Sequence, residues 1–426
     1  MSECRVNLPN RGLTAHWVNQ IALMHSVYSA CGALEAAASP TVMFGARLCG
    51  GRVRKAVAAV LGGTAIGLVV ADPLGPIALC QRKTFAQRIV DINTRLEEIE
   101  IAAEKRKGGR LISVGEALID FIPGDDGRFQ PLCGGAPFNV ALTMARLEAP
   151  SVFLSNVSSD MFGDKICAEL ANDGVDLSLV QRVSDPSTLA FVKLEKGADP
   201  QYAFFFNQAA DRSLTADTLP SLPADTSALH LSLGAITLEV EPVSSAFYRL
   251  FSEKRASIFS SFDPNIRGKM IPDGAAYRQL LLHRWVPLFD LIKVSDADLA
   301  FLYGQHEEAL DIDAIADEWL RASNGGLSLL LVTRGAKGTV AYRPNRSGKV
   351  VEVALGPVEV QDTVGAGDSF QGAFLVSLRS KGKLEKGELA KMSDADVEDS
   401  LRFAARVAAV TCTRAGCDPP TLAEMH

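Results

Sequence analysis

From residue 111 onward, short apolar runs recur at 111–114, 228–233, 291–294 and 329–332, and stretches with helical spacing, such as 314–322, separate them. Runs this short and this continuous predict strands buried on both faces, and helices between them predict a mostly parallel sheet wound between two helical layers. A period of two appears elsewhere. Leu189, Phe191 and Lys193 mark it before the turn Lys196-Gly197-Ala198-Asp199-Pro200, and Tyr202, Phe204 and Phe206 mark it after, which predicts a separate hairpin. Residues 110–426 suffice for one large α/β domain with a substantial core.

Two glycine-containing turns interrupt the pattern just ahead of helical spacing. The first, Gly134-Gly135-Ala136-Pro137-Phe138-Asn139, leads into Leu142, Ala145 and Leu147. Its glycines let backbone approach a polyhydroxylated ligand, and Asn139 offers both a donor and an acceptor. The second, Gly365-Ala366-Gly367-Asp368, follows a strand-like run over 351–360 and precedes Phe370, Ala373, Phe374 and Leu378. Small residues there let backbone N–H groups face an anion at a helix start, whose potential is positive. A phosphoryl group fits such a loop while Asp368 accepts a proton from an attacking hydroxyl, since phosphoryl transfer asks mainly for positioning, charge stabilisation and a base. Taken alone, each turn has a plainer reading, because Asp and Asn favour helix starts whatever they bind. Asp120, which closes the strand pattern of 111–120, is either a solvated strand end or an acceptor for hydroxyls.

Charge divides the chain. The first 110 residues carry 14 Lys+Arg against 8 Asp+Glu, net +6, which leaves −13 of the overall −7 for the remainder. This marks 1–109 as an N-terminal extension. Its apolar run over 56–71 has 16 residues behind Arg52, Arg54 and Lys55, short of the roughly 20 that span a bilayer. A start-site or fusion remnant, a regulatory or dimerising appendage, and a membrane or targeting segment all stay open for it; residues 95–107 have the spacing of a helical connector. The eight cysteines, Cys4, Cys31, Cys49, Cys80, Cys133, Cys167, Cys412 and Cys417, form no CxxC, and the six histidines form no HxxxH. Zinc sites and disulfide frameworks are thereby disfavoured, and a reducing cytoplasm is expected. With a sequence pI near 5.5, nucleic-acid binding lacks electrostatic support.

The segments GEALIDF (115–121), GGAPFNVA (134–141), LSNVSSDMFGD (154–164), STLAFVKL (187–194), FDPNIR (262–267), KVSDADL (293–299), LVTRGAKG (331–338), DTVGAGDSF (362–370) and TRAGCDPP (413–420) occur in that order. Together they resemble the ribokinase-like (PfkB) carbohydrate kinases, and within them the fructokinase branch. The resemblance implies a central mostly parallel sheet between helices, with a small β lid from roughly 118–133 and 188–207, often a dimer contact in the family. It implies ATP and Mg²⁺ as cofactors and a sugar as substrate.

Carried over by position, the resemblance makes Asp368 the catalytic base and Gly365, Ala366 and Gly367 the anion hole. Asp120, Gly134, Gly135 and Asn139 fall in the sugar pocket, with Asp263, Asn265 and Arg267 as a second polar group near substrate or phosphates. Thr333, Arg334, Gly335 and Gly338 fall at the nucleotide phosphates. Lys293, Ser295 and Asp298 match a KxSxxE element whose last residue influences Mg²⁺ through water; Asp298 is one methylene shorter than the family's Glu. Asp362 and Thr363 match positions used for a monovalent cation such as K⁺ or for lid coupling. Asn207 stands where many relatives carry a basic residue, which favours a neutral ketohexose over a sugar acid. The expected activity is phosphorylation of the 6-hydroxyl of D-fructose; kinases for 2-keto-3-deoxygluconate, ribose or another sugar, and an inactive sugar or nucleotide sensor, are the alternatives.

Overall fold

The computed structural model describes residues 108–426 apart from 125, 194–200, 235–237, 347, 355–357 and 426, together with four two-residue strands between 48 and 65. The chain divides into two compact units, 1–98 and 99–426. In the first, Leu48–Cys49 pairs antiparallel with Arg52–Val53, and Val60–Leu61 pairs antiparallel with Thr64–Ala65. The other expectations for the N-terminal extension, including the connector over 95–107, lie outside the described residues.

The second unit contains strands β1 (Arg110–Val114), β2 (Leu118–Pro123) and β3 (Phe129–Gly134), helix α1 (Ala136–Arg146), β4 (Ser151–Ser158), α2 (Met161–Asn172) and β5 (Asp176–Val183). There follow β6 (Thr188–Lys193), β7 (Gln201–Phe205), β8 (Thr226–Ser232), α3 (Val243–Lys254), β9 (Phe259–Asp263), α4 (Gly274–Leu280), β10 (Leu291–Ser295), α5 (Asp296–Tyr303) and α6 (Ile312–Ala322). The chain closes with β11 (Leu329–Thr333), β12 (Thr339–Tyr342), β13 (Val351–Val353), α7 (Ala366–Ser380) and α8 (Asp394–Cys412).

Nine strands form one sheet in the order β13-β12-β11-β10-β9-β8-β1-β4-β5. The strands from β11 to β5 are parallel, and β12 and β13 add antiparallel at one edge. The four apolar runs of the sequence become β1, β8, β10 and β11, buried because helices cover both faces. On one face Ile112, Leu229, Phe262, Ile292 and Leu330 pack against Phe247, Trp285, Trp319 and their neighbours from α3 to α6. On the other, Leu111, Ala228, Phe259, Leu291 and Leu329 pack against Val140, Phe374 and Leu401 from α1, α7 and α8.

The lid is a four-stranded sheet in the order β7-β6-β2-β3. Its register bears out the hairpin expected from the alternation, with β6 and β7 antiparallel, and sets which aromatics share a face. Phe191 pairs with Ala203 and Ala190 with Phe204, so Phe191 and Phe204 lie on opposite faces. Phe205, which shares the Phe191 face, joins the cluster in which Phe191 stacks on Phe121 at 4.5 Å and meets Phe129 edge-on at 5.4 Å. A difference from expectation lies ahead of α7. The strand expected over 351–360 ends at Val353, and Val360 is exposed because residues 358–360 pair with no sheet.

Candidate active site

Strand order reverses between β1 and β8, and the carboxyl ends of β1, β8, β9 and β10 flank that switch, where open α/β sheets form their ligand crevice. The turn Gly115-Glu116 leaves β1, Asp263 closes β9 and Ser295 closes β10. The heads of α1 and α7 complete the walls.

Gly365 caps α7 with φ +74°, and a side chain there would overlap Cys417, whose Sγ lies 2.1 Å from the Cβ position. Only glycine serves at such a place, where φ is positive and a neighbour is in contact. The loop is held from behind. Asp362 accepts from the Gly416 amide at 2.8 Å, Gln361 N–H donates to the Cys412 carbonyl at 2.8 Å, and Arg146 of α1 bridges Asp173, Asp418 and the Pro419 carbonyl. The loop is thus fixed from behind, with the Ala366 amide donating to the Thr363 carbonyl at 3.3 Å, and the helix start keeps its positive potential. Thr363 sits exposed in this loop; the Asp362 carboxylate serves two backbone amides, those of Val364 and Gly416.

Asp368 lies buried in that first turn. Asn139 Nδ2, from α1, donates to its Oδ2 at 2.8 Å across 229 positions of sequence. Burial pushes the Asp368 carboxyl above the ordinary carboxylate range, while the Asn139 hydrogen bond and the charges of Lys293 and Arg267 pull it back. Lys293, the middle residue of β10, forms a buried ion pair with Asp263 at 2.8 Å. Its ammonium also lies against the Gly367 backbone, 3.2 Å from where a Cβ would stand. Burial lowers the Lys293 pKa, but Asp263, Asp298 and Asp368 outweigh it and hold the group above its ordinary value. Asp263 itself is pushed up to about 6 by burial, against the pull of Lys293.

Asp120 occupies the lid face that carries Leu118, Ala190 and Phe204, and its Oδ2 stands 2.5 Å from the Cβ position of Gly134. Burial raises it to about 6 against the charge of Arg267. Gly135, with φ +106°, lets the chain turn from the lid into α1 beside the Glu116 carbonyl. Arg267 donates to Asn265 Oδ1 at 2.8 Å, and Asn265, at φ +41°, donates its own backbone N–H to Asp263 Oδ1 at 3.1 Å. The field of Arg267 therefore reaches both Asp120 and Asp368.

The residues matched to the nucleotide line the neighbouring strand ends, where Ser295 pairs with Thr333. Ser295 and Asp298 form a reciprocal capping box on α5, and Asp298 Oδ1 also accepts from Ile266 N–H at 2.8 Å. That brace couples the KVSDADL and FDPNIR segments. Beyond Thr333, Gly335 opens a tight turn closed by Arg334 N–H to the Gly338 carbonyl at 2.7 Å. Gly338 packs on the Val353 carbonyl, which leaves no room for a side chain. The Arg334 guanidinium pairs with Glu352 on β13 and with the Lys337 carbonyl.

Two residues that sequence reasoning passed over belong to the crevice. Glu116, wholly buried, stands 2.6 Å from the Cβ position of Gly234, and Arg212, stacked at 3.8 Å on Phe206, feels its charge. The signal for Glu116 was a carboxylate inside GEALIDF with no solvent-facing period around it.

A doubly wound sheet with a β lid, a glycine-capped helix start and a buried Asp–Asn contact is the build of a phosphotransferase acting on an alcohol. The pattern of pfkB family carbohydrate kinases matches residues 109–424. The chain is 37% identical over 290 residues to a fructokinase of Rhizobium leguminosarum bv. trifolii, covering 67% of this chain and 84% of that one. Among solved structures, the fructokinase of Xylella fastidiosa with bound ATP superposes with a TM-score of 0.65 at 28% identity, covering 74% of this chain and 96% of that one. The fructokinase of Vibrio cholerae O395 in its fructose-, ADP- and calcium-bound form gives 0.61 at 27% identity, covering 75% and 98%. The chain belongs to the pfkB family of carbohydrate kinases and is a sugar phosphotransferase with fructokinase relatives.

Proposed function

We propose that the chain is a fructokinase that transfers the γ-phosphoryl group of ATP to the 6-hydroxyl of D-fructose. The observation that carries this reading is the 2.8 Å bond from Asn139 to Asp368. It joins the glycine element assigned to the sugar to the carboxylate behind the loop assigned to the phosphate. Fructose and ADP in the V. cholerae relative, and ATP in that of X. fastidiosa, support the same pair of substrates.

The residues present fit a nucleotide. Gly365, Ala366 and Gly367 offer amides at a helix start, Lys293 backs Gly367 with a buried positive charge, and Thr333, Arg334, Gly335 and Gly338 lie at the adjoining strand end. Among the described residues no three His, Cys, Asp or Glu side chains gather as a metal cage. Mg²⁺ is assigned here to phosphates and waters, its usual ligands beside a nucleotide. Asp298 is assigned to meet it through water, since each of its oxygens keeps a lone pair beyond its backbone bonds; Asp362 and Thr363 are assigned to a monovalent cation such as K⁺. When bound, Mg²⁺ neutralises charge on the phosphates.

In this mechanism Asp120, Gly134, Gly135 and Asn139 orient the sugar, with Asp263, Asn265 and Arg267 at the reacting side. Asp368 takes the proton of the 6-hydroxyl as the new O–P bond forms and the bond to the departing ADP oxygen breaks. A sugar hydroxyl is far less acidic than a carboxylic acid, so the proton moves late, when the oxygen has become acidic by bonding to phosphorus. The amides of the Gly365–Gly367 loop and Lys293 hold charge on the transferring group. The proposed setting is cytoplasmic. A homodimer through the lid would cover Phe129 and Phe205, which are 48% and 61% exposed. The test is ADP release coupled to a panel of sugars: fructose should lead, and faster turnover of ribose or a sugar acid would overturn the assignment.

A further inference from the structure

The sheet face beneath α1 and α7 is built in three rows. The lowest is apolar: Leu111, Ala228 and Phe259 are in register across β1, β8 and β9. The highest, Ser232 beside Asp263 with Lys293 beyond, opens on the crevice. Between them lies a row that a purely structural core would not need. Ser113, His230 and Ser261 are in register on the same three strands, and each is at most 1% exposed.

This middle row is hydrogen-bonded upward into the two helices that carry the site. Ser113 Oγ donates to the Pro137 carbonyl at the head of α1, 2.7 Å away. Gln371 of α7, one turn beyond Asp368, donates from Nε2 to Ser261 Oγ at 2.7 Å, and Ser261 Oγ meets His230 Nδ1 at 3.1 Å. Burial and the nearby charge of Lys293 push the His230 pKa down to about 3, so the ring is neutral. The Ser261 oxygen is thus shared between the Gln371 amide, which donates to it, and His230 Nδ1, so that one hydroxyl ties helix to sheet. Apolar contacts fix the distance of a helix from a sheet better than its position along its own axis. A buried, directional bond fixes that position, because a shift of one ångström breaks it.

We infer that Gln371, Ser261 and His230 form a positioning relay that sets the first turn of α7, and with it Asp368 and the Gly365–Gly367 amides, at the depth phosphoryl transfer requires. The relay touches neither sugar nor nucleotide. It acts through Asp368, so it rests on the assignment of that residue as base, but not on the identity of the sugar.

The test uses the full chain with whichever sugar the wild type turns over fastest, so a wrong fructose assignment leaves it intact. Gln371→Met, Ser261→Ala and the double variant are compared for kcat, for KM of ATP and sugar, and for thermal midpoint. Apolar replacements of matched shape on both sides of a buried bond are nearly neutral for stability. Each single variant should lose about tenfold to a hundredfold in kcat while both KM values stay within about twofold. The double variant should lose no more than the worse single, because both act through one bond. Should Gln371→Met fold poorly, Ser261→Ala decides, assayed well below its midpoint because it leaves the Gln371 amide without its partner. Unchanged kcat in folded variants would overturn the relay, and so would a loss of kcat that merely follows a fall in thermal midpoint or a rise in KM.

Discussion

The two faces of the central sheet are built from the same strands and differ in what they bury. Under α3 to α6, Phe247, Phe262, Trp285, Phe289 and Trp319 fill the face from end to end. Under α1, α7 and α8 the face starts apolar and turns polar as it approaches the crevice, ending in Asp263, Lys293, Asn139 and Asp368. The first arrangement stabilises by removing apolar area from water. The second buries charged groups whose pKa values are displaced by that burial, the expected cost of a preorganised site. Both faces bury apolar area, and on the proposed function only the second carries the chemistry, so substitutions should separate them.

The largest effect is expected at Asp368. Asp368→Asn should lower kcat by about 10²–10⁴-fold while calorimetry still detects ATP and sugar. Its thermal midpoint should not fall. The folded-state pKa of Asp368 is raised, so any stability linked to its protonated form is present in acid and lost as pH rises through that pKa, and at neutral pH the ionised group only costs. A variant as active as wild type would erase the division between the faces.

Next comes Gly365→Ala, which forces a side chain onto Cys417 at φ +74°. Loss of the loop geometry should cost about 10²–10³-fold in kcat, measured beside a circular dichroism melt that shows α7 still present. Phe247→Ala, on the apolar face, should instead remove about 3–5 kcal/mol of stability in urea titration. Its kcat per folded molecule should stay at the wild-type value; a loss there would mean that the faces are coupled.

The smallest effect is in pH. On the proposed role of Asp120 in the sugar pocket, its pKa being raised to about 6, the ionised form accepts sugar hydroxyls best, so sugar KM should climb as pH falls through that value. Asp120→Asn should flatten that climb. Because the raised pKa makes the ionised form costly in the apo fold, the same variant should melt higher than wild type above pH 6 and lose that advantage below it.

How much of this was legible in the sequence follows from the range of each interaction. The apolar runs, the glycine turns and the order of segments are local, and each maps onto an observed strand or helix start. Asp368 and Asn139 were both named, though their contact spans 229 positions, because each sits in its own recognisable turn. Gln371, Ser261 and His230 carry no such turn. His230 lies inside the apolar run 228–233 and its partner is fixed by the β8–β9 register, which no local period encodes. Which lid aromatics share a face is hidden for the same reason: a period of two gives faces within one strand, but the pairing across the turn decides which faces coincide. Asp298 was legible as an acid at the right spacing, yet its bracing bond to Ile266 depends on a segment 32 positions away.

The most direct test of the base assignment is a structure of the chain with fructose and a non-hydrolysable ATP analogue. The account predicts the 6-hydroxyl oxygen about 2.6–3.2 Å from an Asp368 carboxylate oxygen, with the terminal phosphate on the amides of the Gly365–Gly367 loop. A sugar bound with that hydroxyl turned away from Asp368, or a phosphate seated elsewhere than this helix start, would contradict it.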